Sequence, residues 1–414
     1  MTSPPLPAPA VPLTGRHGSR YRWVILSIGV AAQASFAAAF SGLPVTGVLM
    51  RSAYQMSTGQ LGLVLGCMAL GVTFSEVVWG LLTDRLGDRK VLLTGLFSTG
   101  AALLFLAMRG GPTESKMPSS LLLGAGLVLA GVLGGSVNSS SGRAIMGWFT
   151  DGQRGLAMSI RQTAIPAGGA VGAALLPWLA QRFGFQAVFG TLAVFCVLSA
   201  LATWFWLHEQ PSPNAPGSTS VADGPSPLYR LDVWRLALAS GLLTAPQIAV
   251  LTFGGVFLHD RKAAGLSLIA GVIVVVQVTG SIARIVIGHY SDHGADRRTL
   301  VRGMGLLAAA STATLAIFAD AGTCWVASLV CLSGLTASAW HGVAYTEMAT
   351  MAGAARAGTA LGIIGMSIFA SAFITPALIP FLLSASSWPI TWGVFAFAAL
   401  LAVPIAPKRS GKSG

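Results

Sequence analysis

Apolar runs of 18 or more residues follow one another along the chain, with almost no charge inside them. Each is long enough to cross the hydrocarbon core of a bilayer as a helix. That interior holds no water for backbone N–H and C=O groups. A spanning segment must therefore pair them internally, as a helix or in a closed barrel. The runs are continuous rather than alternating, which selects helices. Composition agrees, since 9% of the 414 residues are charged, against about 25% in a soluble domain. The 51 glycines suit helices whose backbones approach closely in lipid.

The pattern predicts an all-α membrane protein with twelve spans in two pseudo-symmetric six-helix bundles. The first bundle covers 21–207, with spans at about Tyr21–Met50, Ser57–Leu82, Val91–Met108, Ser119–Phe149, Gly155–Ala180 and Ala187–Leu207. The second covers 231–406, with spans at about Asp232–Leu258, Leu266–Tyr290, Thr299–Phe318, Cys324–Thr346, Gly358–Leu383 and Trp388–Ala406. Residues 208–230, rich in Pro, Ser and Gly, read as a linker. Residues 1–20 read as a disordered tail, and 407–414 as a second short tail. The N-terminus lacks the pattern of a cleaved signal, so the first span is expected to remain. The four cysteines fall inside apolar runs without ligand spacing and read as small core residues.

A net charge of +12 would suit nucleic acid if it were clustered, but the Lys and Arg are scattered in short loops. With both termini inside, 16 Lys/Arg fall in inner segments, six in outer ones and three within spans. That excess predicts cytoplasmic termini in a cell (inner) membrane.

Between the second and third spans lies Gly80-Leu81-Leu82-Thr83-Asp84-Arg85-Leu86-Gly87-Asp88-Arg89-Lys90. A weaker copy stands 208 positions later, from Gly288 to Arg298, matching Asp84 with Asp292, Asp88 with Asp296 and Arg89 with Arg297. A second internal match pairs Gly155-Leu156-Ala157-Met158-Ser159 with Gly358-Thr359-Ala360-Leu361-Gly362. The chain therefore reads as a duplication. The first copy resembles the signature between helices two and three of major facilitator superfamily transporters, and the second sits where that family repeats it. The resemblance implies gating roles for Gly80, Asp84, Gly87, Arg89, Lys90, Gly288, Asp292 and Arg297. Asp84 would cap the start of helix 11 or pair with a nearby Arg. Arg89 and Lys90 would hold the loop to neighbouring charges and lipid headgroups.

A charged group inside a span costs roughly 2.5–3.5 kcal/mol, so each is a functional candidate. Glu76, Arg143, Arg161 and Arg284 qualify, with titratable His341. The 208-residue offset pairs Glu76 with Arg284, each eight residues before its signature Asp. That is about 12 Å into the membrane, where repeat transporters bind substrate. The two could form a gate, a substrate clamp, or structural bonds within their own halves. Glu76 could take a proton if desolvation favoured its neutral form. Arg161 could line the cavity with Gln162, snorkel to the interface, or pair with Asp151. Arg143 is expected in salt bridges near the inner gate. His341, in a Trp340-His341-Gly342 interruption of helix 10, is a proton relay or a packing residue. Asn138, Gln33, Gln247 and Gln277 should face the bundle or cavity, bonding substrate or neighbouring helices.

Arg284-Ile285-Val286-Ile287-Gly288 is similar to the Arg-x-x-x-Gly of helix 8 in monocarboxylate transporters and oxalate/formate antiporters. There, this Arg engages substrate carboxylate or the coupling proton. The segment from Trp148 to Ala157 resembles their entry to helix 5, with one extra residue. The chain departs from them in lacking Lys or Arg between Trp23 and Met50, in having Gly280 where an Asp stands one turn before the Arg, and in lacking a helix 11 Lys. The expected activity is alternating-access transport of a small organic anion, a monocarboxylate, in symport with protons. The alternative is proton-driven efflux of an apolar or cationic compound bound by Glu76. The expected partners are the anion, protons and the lipid bilayer, with no nucleic acid, and the protein is expected to be monomeric. No ATP-binding loop, metal cluster or catalytic nucleophile stands out, so no cofactor and no enzymatic reaction are expected.

Overall fold

The computed structural model describes residues 20–113, 117–208 and 225–408. The predicted N-terminal tail, most of the linker and the C-terminal tail lie outside the described residues, apart from their inner edges.

Among the described residues, eleven helical segments are long and apolar enough to cross a membrane. They are α1 Tyr21–Ala53, α2 Gly59–Leu86, α3 Asp88–Arg109, α4 Ser120–Trp148, the segment Asp151–Trp206, α7 Leu231–Lys262, α8 Ser267–Ser291, α9 Arg297–Ile317, α10 Thr323–Ala352, α11 Ala354–Ala385 and α12 Trp388–Ile405. Asp151–Trp206 holds 56 residues, about twice what one crossing needs. Gly184 divides it, with φ 75° that a Cβ would strain. It is therefore two spans, α5 (151–183) and α6 (185–206), which makes twelve among the described residues.

Two six-helix bundles result, α1–α6 and α7–α12. Within the first, α1 and α5 touch backbone to backbone: a Cβ on Gly42 would lie 2.8 Å from the Cα of Gly172. The outward faces carry Phe74, Leu121, Ile317 and Trp325, all more than 70% exposed. In lipid such faces are stable, and the helices are accordingly apolar on every side. Of the cysteines, Cys196 alone is buried, while Cys324 is exposed. The expectation of core cysteines thus fails for Cys324, because an apolar run in lipid does not distinguish inward from outward faces.

Several spans are broken near mid-length. α1 passes through a tight 3-10 turn at Leu43–Thr46, which contains Pro44. α4 is interrupted at Gly135, α5 at Thr163 and α10 at Ala339 and Trp340. Breaks free backbone carbonyls, and in a membrane these must face a cavity or find protein partners. α2 and α10 also run further than expected, α2 continuing through Asp84 to Leu86. The first signature is therefore largely helical up to Gly87, whose φ is 92°.

Candidate functional site

A cavity of about 100 Å³ lies between the bundles. Gln33, Asn138, Gln247, Gln277, Arg284, His341 and Tyr345 supply polar groups to it. Phe36, Phe40, Ile165, Ile248, Leu251 and Phe369 supply apolar ones. α1, α4 and α5 contribute from the first bundle, and α7, α8, α10 and α11 from the second.

Arg284 is 4% exposed and stands on the cavity wall. Its Nε donates to the Ser338 carbonyl at 2.9 Å, and its Nη1 to the Gln162 carbonyl at 2.8 Å. The broken helices explain both acceptors. Ser338 ends the first half of α10, and Gln162 ends the first turns of α5. Helix ends leave carbonyls without intrahelical donors, and a guanidinium can take them. The second bond joins the bundles. Nη2 takes part in neither bond. His341 shares the Ser338 carbonyl, with Nδ1 at 3.2 Å, and its ring stacks on Trp340 at 3.9 Å.

Arg161 sits differently. It is fully buried and is not on the cavity wall. Nε donates to Ser141 Oγ at 2.9 Å, and Nη2 to Gln33 Oε1 at 2.9 Å, Asn138 Oδ1 at 2.9 Å and the Asn138 carbonyl at 2.6 Å. Nη1 points to the Met158 sulfur. Arg161 thus neither snorkels nor pairs with Asp151, which instead pairs with Arg154. Three faces of the first bundle converge on the guanidinium and satisfy it where it stands. Gln162 presents its carbonyl to Arg284, while its buried amide lies beside the Tyr345 hydroxyl.

Glu76 is also fully buried and off the cavity wall. Its carboxylate faces the Asn138 amide and lies within electrostatic reach of Arg161, but neither oxygen reaches hydrogen-bond geometry. A Cβ on Gly365 of α11 would lie 2.7 Å from the Glu76 carboxyl carbon, so only glycine leaves room for it there. Among the described residues no ion pair joins Glu76 to Arg284. The internal offset places them at equivalent positions, but the bundles do not bring them together.

At the end that carries Tyr21, Trp206 and Ile405, the two repeats meet crosswise. Asp84 of α2 accepts from the Gly358 N–H at 2.8 Å, the Thr359 N–H at 2.7 Å and Thr359 Oγ1 at 2.5 Å. Asp292, just after α8, accepts from the Gly155 and Leu156 N–H groups, each at 2.8 Å. Each carboxylate caps a helix start in the opposite bundle, where orphan N–H groups and the helix dipole favour an anion. Gly80 and Gly288 allow the approach: a Cβ on Gly80 would lie 2.4 Å from the Gly358 carbonyl oxygen, and one on Gly288 2.6 Å from that of Gly155. Arg143 lies 3.3 Å from Asp84 and 2.7 Å from Asp88. Arg297 lies 3.3 Å from Asp292. Arg89 donates to the Trp204 carbonyl at 2.6 Å with its guanidinium over the Trp204 ring, while Lys90 is exposed. These contacts tie the two bundles together at this end.

Residues 29–367 match the sequence model of the Major Facilitator Superfamily. The chain belongs to the major facilitator superfamily. It is therefore a multi-pass membrane transporter and not an enzyme. An uncharacterized MFS-type transporter of Mycobacterium tuberculosis is 31% identical over 94% of this chain and 85% of its own length. A hexuronate transporter of Bacillus subtilis is 20% identical over 61% of this chain and 60% of its own. The solved proton:xylose symporter XylE superposes with a TM-score of 0.74 at 14% identity, covering 94% of this chain and 97% of that one. This last likeness concerns the fold alone.

In this superfamily member, sequence reasoning missed Tyr345. Its hydroxyl accepts from Asn138 Nδ2 at 3.1 Å, a second direct bond between the bundles beside the cavity. The signal was present: Tyr345 follows His341 by four residues, so the two share a helix face. Thr244, on the cavity wall one helical turn before Gln247, was missed likewise.

Proposed function

We propose that this transporter moves a small organic anion, a monocarboxylate, in symport with protons. Arg284 carries the reading. Among the described residues lining the cavity it is the one with a permanent charge, and two backbone carbonyls hold its guanidinium in place. Nη2 is left to meet a carboxylate, and a cation fixed in a cavity of low dielectric attracts an anion far more strongly than in water. Gln247, Gln277 and His341 stand on the same wall and can complete the anion's hydrogen bonds. Glu76 is the proton carrier, placed one residue from the cavity through Asn138. The tied end is the cytoplasmic one, in keeping with the excess of Lys and Arg on that side. An anion binding Arg284 competes for the guanidinium that ties α8 to α5, which links occupancy to the rocking of one bundle on the other.

Uptake of radiolabelled carboxylates into proteoliposomes tests this. Accumulation driven by an acid exterior, lost in Arg284→Gln, is the expected result. Glu76→Gln should lose accumulation against a gradient while keeping exchange of substrate for substrate. Export of lipophilic cations driven by protons, with no carboxylate flux, would overturn the reading.

A further inference from the structure

The cavity that Arg284 lines also carries a cluster of aromatic rings. Phe36 and Phe40 of α1 stack at 6.1 Å between centroids. Phe40 meets Phe369 of α11 edge to face at 5.1 Å, so the cluster is built from both bundles. Ile165, Ile248 and Leu251 continue it. We propose that the preferred substrate is an amphipathic monoanion, a carboxylate carrying an aryl or branched-alkyl group, with its charge at Arg284 and its apolar part against Phe36, Phe40 and Phe369. This rests on the anion reading above and narrows it.

Two physical arguments weigh against the neighbouring classes. A polyhydroxylated acid would bring hydroxyls against Phe and Ile side chains, which offer them no hydrogen bond, and unpaired buried hydroxyls are costly. A dicarboxylate or phosphate dianion would need a second cation. Among the described lining residues Arg284 stands alone in that respect, and Arg161 is screened from the cavity behind Gln33 and Asn138. An aryl group, by contrast, gains burial against the rings and edge-to-face contact of the kind Phe40 and Phe369 already make.

The test is a set of thermal-shift titrations of the purified full chain with acetate, phenylacetate, 4-methylpentanoate, glucuronate and succinate, repeated on Phe369→Leu and Arg284→Gln. Ligand binding raises melting in proportion to the logarithm of its concentration over Kd. Phenylacetate and 4-methylpentanoate should bind about ten- to a hundredfold more tightly than acetate or glucuronate. Phe369→Leu should narrow the gap between phenylacetate and acetate, and Arg284→Gln should abolish both shifts. Glucuronate or succinate binding as tightly as phenylacetate overturns the amphipathic assignment while the anion reading stands. No shift from any carboxylate overturns both. Should Phe369→Leu fail to fold, the wild-type ranking alone decides.

Discussion

Arg161 and Arg284 are both buried arginines within membrane-spanning helices, one in each bundle, yet their surroundings differ. Arg161 spends its donors inside its own bundle, on Ser141, Gln33 and Asn138. Arg284 anchors itself on two backbone carbonyls, one of them across the bundle interface, and keeps Nη2 out of both bonds. A guanidinium offers five N–H donors, so how many the protein itself satisfies decides what remains for a ligand. The first arginine is spent on its own bundle; the second lines the cavity with one nitrogen outside both bonds. A similar asymmetry shows at the tied end, where the Asp84 carboxylate takes three hydrogen bonds from α11 and the Asp292 carboxylate two from α5.

The largest effect should come from Arg284. Arg284→Gln is expected to lower initial carboxylate uptake by more than about a hundredfold, since charged hydrogen bonds to ligand carry much of such binding. Arg284→Lys should recover only part of it, because an ammonium lacks the planar fork. Equal activity in Lys and Arg proteins would show that fork geometry is unused.

Arg161→Leu should act on stability instead. It strands the Glu76 carboxylate and the acceptors of Gln33 and Asn138, a change worth about 3–5 kcal/mol in comparable buried sites. Neutralising the stranded acid should recover part of the loss, so Arg161→Leu with Glu76→Gln should melt above Arg161→Leu alone. Additive losses in the double variant would disprove the coupling between them.

At the tied end, Asp84→Asn should loosen the contact between bundles more than Asp292→Asn. Each replaces charge-assisted caps with neutral ones, at about 1–2 kcal/mol. A Thr346→Cys reporter, in a background without the native cysteines, should label with maleimide faster in either variant and fastest with Asp84→Asn. The opposite ranking would mean that hydrogen-bond number does not set the strength of the two seals.

Tyr345→Phe should have the smallest effect. It removes one hydrogen bond between bundles, worth about 1 kcal/mol, and should shift substrate Kd by less than about tenfold. A complete loss of transport would instead give the hydroxyl a direct part in proton movement.

Much of this was legible beforehand. The 208-residue offset aligned Asp84 with Asp292, and both do cap helices in the opposite bundle. The interruption expected at Trp340-His341 is a real break, and it exposes the carbonyl that Arg284 uses. Glu76 and Arg284, equivalent by the same offset, do not meet. Duplication preserves a position along a helix but not the direction in which a diverged neighbour rotates the side chain.

By itself the sequence determined the number of spans and the duplication, while the crosswise seal between Asp84, Asp292 and the facing helix starts emerged from the tertiary structure. Lipid accepts only helices with satisfied backbones, and an uncharged run of that length has no other fate. Only the tertiary structure decided that Arg284 faces the cavity, that Arg161 and Glu76 lie behind it, and that Tyr345 joins the bundles. A helix in lipid is apolar on all sides, so no stripe along the sequence marks its inward face. That face is set by packing against neighbours, where glycines such as Gly80 and Gly365 let particular backbones and side chains approach.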